Sequence, residues 1–69
     1  MNLKEAEKIY NMVVKDFPDF KENTPKYVTS VLMNYVFEDV VEVYNRYKTI
    51  HRDTPFVSDL FHPNIREVN

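Results

Sequence analysis

Four side chains near the C-terminal end, His51, Asp53, Asp59 and His62, are of the types that ligate metal ions. Their spacing argues against it, because none falls at the i,i+4 or His-x-x-x-His separation on a helix that aims two donors at one ion. Ser30 and Ser58 are the serines available as nucleophiles, but neither has a histidine on a shared face to serve as its base. Ser58 reads instead as a helix cap. Glu38, Asp39 and Glu42 are close enough in sequence for acid/base work, which would need one carboxyl displaced from its ordinary pKa. They fall on the polar half of an amphipathic stretch, where carboxylates stay solvated. The chain has no glycine, which removes phosphate-cradling and dinucleotide-binding loops together. No residue is assigned to catalysis, and neither a metal nor a cofactor is expected.

Arg46, Lys48, His51 and Arg52, interleaved with Tyr44 and Tyr47, have the composition of a nucleic-acid patch. The net charge of −2 and pI of about 5.6 oppose bulk electrostatic capture of nucleic acid. The same cations fall at the end of a helix, where they complement its negative pole, while the tyrosines fall on its inner face. Three apolar side chains stand off the inner faces of their helices: Met12 on the first, Tyr27 and Met33 on either side of the second. Either they are the single exposed apolar residues that any surface carries, some of them covered by the segment with Phe56 and Phe61, or they form a surface for a protein partner, a role in which Met and Tyr are enriched. The candidate partner-binding residues are Met12, Tyr27, Met33, Arg46 and Arg52.

The elements that would position these residues are three helices. The central one spans the stretch between Tyr35 and His51. At about 100° per residue, Val36, Phe37, Val40, Val41, Val43, Tyr44, Tyr47 and Ile50 share half of its circumference. That sector is wider than the roughly 100° stripe needed against one neighbour, so this helix should touch two. Glu38 and Asp39 at its start and Lys48 at its end match the dipole, and Glu42 with Arg46 form an i,i+4 pair. The first helix should run from Leu3 to Asp16 or Phe17, with Asn2 and Glu5 at capping-box spacing and Pro18 as its stop. Leu3, Ala6, Ile9, Tyr10, Val13, Val14 and Phe17 share its inner face. Phe17 and Phe20 then bracket a Pro-Asp turn, from which both rings can fold back onto the core.

Thr24 and Pro25 open the second helix as N-cap and first-turn proline. Val28, Val31, Leu32 and Tyr35 line it, and a break is expected near Asn34, which either caps the third helix or sits in a turn of two or three residues. After a polar loop, Pro55 to Val57 should be extended, with Ser58 and Asp59 opening a short helical turn through Leu60 and Phe61. The fold class is all-α: a compact three-helix domain over residues 1–62 with a short C-terminal helical turn, followed by a flexible end at 63–69. Sixty-nine residues form one domain and bury only about 60% of the unfolded surface, too little for a deep catalytic pocket. There is no cysteine, no secretory signal pattern at the charged start, and no apolar run near the roughly 20 residues of a membrane span. A cytoplasmic monomer is the expectation.

The order of these elements, the Thr24-Pro25-Lys26 start of the second helix, the Phe37-Glu38-Asp39-Val40-Val41 opening of the third and the downstream Pro55-Phe56-Val57-Ser58-Asp59-Leu60 segment resemble the N-terminal helical domain of the phage replicative helicase loader/inhibitor family. Pro55, Val57, Ser58, Asp59 and Leu60 match that family's terminal motif, while Phe37 and Tyr47 fall at its aromatic positions. The resemblance covers roughly residues 3 to 61, and it is a core pattern without a catalytic signature. Val28 stands where the family often has tryptophan, and Thr54 where a second proline often precedes the motif. Family members also carry a flexible tail that grips the helicase, so the resemblance makes this chain a head domain or a shorter relative.

The resemblance implies a DNA replication accessory protein of phage type, acting in the bacterial host cytoplasm. It would be a non-enzymatic helicase loader or helicase inhibitor that binds a hexameric replicative helicase or an origin-binding initiator, with no direct nucleic-acid contact. The alternatives are a small inhibitor that sequesters another host protein of replication or defence, and a helix-turn-helix DNA-binding regulator. The last is disfavoured because its recognition helix would turn Glu38, Asp39 and Glu42 towards phosphates.

Overall fold

The first helix begins where its sequence says it should. Asn2 Oδ1 accepts from the Glu5 N–H at 2.8 Å, and Glu5 Oε1 accepts from the Asn2 N–H at 3.0 Å, closing a reciprocal capping box. A computed structural model describes residues 1–61, and among them the chain forms α1 (Leu3–Asp16), α2 (Pro25–Leu32) and α3 (Phe37–Ile50). Two short 3-10 helices, η1 (Pro18–Glu22) and η2 (Val57–Leu60), follow α1 and α3. The architecture is an all-α three-helix domain, with no strand among the described residues. His62, Pro63 and the expected loose end at 63–69 lie outside the described residues.

Long-range bonds set the helix directions. The Met1 amino group donates to the carbonyls of Tyr35 (2.6 Å) and Met33 (3.3 Å), and the Tyr10 hydroxyl donates to that of Asn23 (3.1 Å). Both ends of α2 are thereby fixed beside α1, and the two helices run antiparallel. At the far end of α1, the Phe17 ring meets the rings of Tyr44 and Tyr47 edge-on at 6.4 and 6.2 Å. The third helix therefore returns in the direction of α1. The chain then reverses once more. The Tyr47 hydroxyl donates to the Asp53 carbonyl at 2.6 Å, and the Tyr35 ring stacks on Phe61 at 4.8 Å and 9°. Residues 53–61 thus form a strap that runs back along α3 from its end to its beginning. The wide apolar sector of α3 is explained: one side meets α1 and the other meets the strap.

The core holds Ala6, Ile9 and Val13 from α1, Val28 and Leu32 from α2, Val40 and Tyr44 from α3, and Leu60 from η2, all fully buried. Phe20 joins them, folding back onto the core as its place after the Pro-Asp turn suggested, though through a 3-10 helix rather than a simple turn. Pro18 presets the first position of η1, and one 3-10 turn swings Phe20 inward against Tyr10, with the rings 5.9 Å apart. Two expected core-face residues are outside. Leu3 is 51% exposed and Ile50 67% exposed, because they occupy the first and last positions of their helices and overhang the elements beneath.

Two expected caps differ as well, and Asn34, left open between capping the third helix and sitting in a short turn, takes the turn. The Thr24 side chain makes no capping bond at α2, so Pro25 carries that start by its fixed φ. Asn34 does not cap α3. Residues 33–36 join the helices, Val36 holds the N-cap position, and the Asn34 amide donates back to the carbonyls of Ser30 and Val31 at 3.3 and 3.2 Å. Tyr35, expected on the second helix, consequently lies beyond it. The second 3-10 helix starts at Val57, one residue before Ser58, and Asp59 takes the capping role: its Oδ2 accepts from the Phe56 N–H at 2.8 Å.

Candidate protein-binding surface

Most polar side chains with chemical potential are engaged in holding the fold. Tyr44 is fully buried, its hydroxyl donates to Asp16 Oδ2 at 2.7 Å, and Lys48 Nζ reaches the same oxygen at 3.3 Å while lying 4.9 Å from the Tyr44 ring centre. The Tyr44 bond holds the Asp16 carboxyl below its ordinary range against the opposing effect of burial, and Lys48 and Lys15 add to the lowering. Burial pushes the Tyr44 hydroxyl pKa well up, and the Asp16 carboxylate adds to the shift. Burial likewise raises Tyr47, with Asp59 and Asp53 contributing. Ser30 Oγ donates to the Lys26 carbonyl at 2.7 Å. Among the described residues, no group of three or more His, Cys, Asp or Glu side chains is disposed around a common metal position. No helix of the described residues is long and apolar enough to cross a membrane.

The basic-aromatic cluster separates into structural parts. Arg46 pairs with Glu42 at 2.9 Å in the expected i,i+4 geometry. Both side chains are more than half exposed, which limits the pair to a few tenths of a kcal/mol. The His51 ring leans on Tyr47 with centroids 4.7 Å apart, and Arg52 stands exposed just beyond α3. Tyr44 is fully buried, and the partly buried Tyr47 already packs against the rings of Phe17 and His51.

The candidate partner residues occupy different places. Tyr27 is 56% exposed and Met33 39% exposed, both on the outer flanks of α2. Six residues separate them, so they point about 120° apart around the helix. Met12, expected to stand off α1, is half-buried and rests against the core. Arg46 lies on the exposed side of α3 beside its carboxylate partner. These five residues sit on three helices and the loop after the third, and no single element gathers them.

The most exposed large apolar side chain is a different one. Phe56, read as a possible cover for other residues, is 77% exposed, while its neighbours Pro55 and Val57 are buried. In an extended segment successive side chains alternate between faces, so burying Pro55 and Val57 turns Phe56 outward. It borders a groove of about 330 Å³ between η1 and the strap, lined by Asp19, Glu22, Asn23, Thr54, Pro55 and Phe56. The alternation of Pro55, Phe56 and Val57 was a signal for an outward aromatic. Nothing local in the sequence places Asp19 and Glu22 beside it.

No protein-family model matches the chain, and no curated protein and no solved structure is detectably similar to it. The class that the fold defines is the small all-α three-helix domain closed by a C-terminal strap.

Proposed function

We propose that this chain is a non-enzymatic protein-binding domain of phage-type DNA replication, engaging a hexameric replicative helicase or the initiator at which that helicase is loaded. The observation that carries the protein-binding part is the set of large apolar side chains left in solvent on so small a domain, Phe56 most of all, with Ile50, Tyr27, Leu3 and Met33. Exposed aromatic and methionine side chains are the usual anchors of protein interfaces. The helicase-directed part rests on the resemblance of residues 3–61 alone. Binding would act by favouring one conformation of the helicase over the form that hydrolyses ATP and grips single-stranded DNA.

A helix-turn-helix reading has weaker support. The exposed side of α3 carries Glu38 and Glu42, and Arg46 is held by Glu42.

Calorimetric titration against a purified hexameric helicase with an ATP analogue, and in parallel against an origin-binding initiator, tests the proposal. Heat with either partner supports the replication role and tells the loader's two contacts apart. Silence with both overturns the helicase reading, and capture of another host protein would then favour the sequestering inhibitor. Retention on DNA that falls steeply with salt would favour the regulator.

A further inference from the structure

We propose that the groove between η1 and the strap is a docking site for a cationic, leucine-bearing segment of a partner protein. The inference rests on the protein-binding reading but not on the partner being a helicase. Three observations converge on the groove. It has an apolar wall in Pro55 and Phe56, and Phe56 leaves 77% of its surface in solvent. Its opposite wall carries the carboxylates Asp19 and Glu22, which form no ion pair among the described residues. It is also braced from below: Phe20 of η1 is fully buried, and Asp59 fixes the backbone of Phe56 through its N–H.

Charge decides the occupant. Among the described residues, the charged side chains in the lining are Asp19 and Glu22, both carboxylates, while Lys21 and Arg52 stand outside it, so the groove's own charge is negative. An acidic segment would meet like charge here and be rejected. A purely apolar segment would leave the two carboxylates desolvated and unpaired. A segment with Arg or Lys beside Leu satisfies both walls: the guanidinium or ammonium meets Asp19 and Glu22, and the Leu side chain covers the ring of Phe56. A rigid groove limits the ordering cost to the incoming segment.

The test uses isotope-labelled full chain and the peptide acetyl-Arg-Leu-Lys-Leu-Arg-amide, followed by NMR amide shifts. Shifts should concentrate at Asp19, Glu22, Asn23, Thr54 and Phe56. Affinity should fall roughly five- to tenfold in Asp19→Asn/Glu22→Gln, as expected for the loss of two exposed charge pairs. It should fall about tenfold in Phe56→Ala, and markedly between about 0.05 M and about 0.5 M salt. All three side chains are exposed, and far-UV circular dichroism verifies that the variants remain helical. The proposal is overturned if the basic peptide leaves these amides unmoved, if acetyl-Glu-Leu-Glu-Leu-Glu-amide binds equally well, or if the shifts map to the Glu38 and Glu42 side of α3. A peptide-silent groove in a chain that still gives heat with the helicase would overturn the groove alone. Peptide binding without helicase heat would support the groove and overturn only the helicase.

Discussion

Tyr44 and Asp16, 28 residues apart, are joined by a 2.7 Å hydrogen bond from the tyrosine hydroxyl to Oδ2 of the carboxylate. The bond ties the last residue of α1 to the second half of α3, and Lys48 closes over it. Removing the hydroxyl in Tyr44→Phe keeps the ring in the core and takes only the bond. The expected loss is about 1 kcal/mol, or about 4–8 °C in melting temperature for a domain of this size. Urea unfolding followed by circular dichroism measures it, and an unchanged midpoint would show the bond to be without net value.

The same pair makes stability depend on pH in both directions. Asp16 is held below its ordinary 3.8 in the folded chain, first by Tyr44 and then by Lys48. Its contribution is therefore present above that value and lost as pH falls through the lower folded pKa. Tyr44 is raised above its ordinary 10.0 by burial and by Asp16, and Tyr47 is raised by burial, Asp59 and Asp53. Their contributions are present below 10.0 and are lost progressively as pH rises beyond it. Melting temperature should thus form a plateau with an acid and an alkaline limb. Asp16→Asn should flatten the acid limb, whereas Tyr44→Phe should flatten the alkaline limb and, by removing the largest cause of the Asp16 shift, part of the acid limb as well.

Two predicted caps should behave oppositely under the same substitution. Asn2→Ala breaks a formed capping box and should cost about 1 kcal/mol. Thr24→Ala removes a hydroxyl that caps nothing and should stay within about 0.5 kcal/mol. Denaturant midpoints of the two variants measured side by side decide this, and equal losses would contradict the geometry.

Phe20 and Ile50 offer a sharper contrast. Phe20→Ala removes a fully buried ring and should cost about 3–5 kcal/mol, a large share of a small domain's stability. Ile50→Ala, on a side chain 67% exposed, should remain within about 0.5 kcal/mol. Thermal unfolding of both variants tests the pair.

Those contrasts follow the line between what short-range signals reveal and what they cannot. The bounds of α1 and α3 were readable because each signal acts within a turn or two: Asn2 with Glu5, the apolar sector of α3, Pro18 as a stop. Glu42 with Arg46 was readable for the same reason. The break after α2 was readable only approximately, since Asn34 could bond forward or backward, and the backward bonds to Ser30 and Val31 won.

The surface was far less legible. Of the five candidate contact residues, Met12 proved half-buried, and Phe56, the most exposed apolar side chain, was not among them. Helical period assigns a side chain to an angle on its own element, whereas exposure depends on what else lies at that angle.

The amino-acid sequence by itself determined three amphipathic helices, their approximate ends and the width of the face that α3 must cover, because helix formation and capping are governed by residues within four positions of one another. Only the tertiary structure decided that Ile50 is surface, that Asp16 meets Tyr44, and that Asp19 and Glu22 share a groove with Phe56. Each of those facts depends on what a distant part of the chain brings, or fails to bring, to that place. Such meetings are selected by how the apolar faces fit together as a whole, a property that no single window of residues carries.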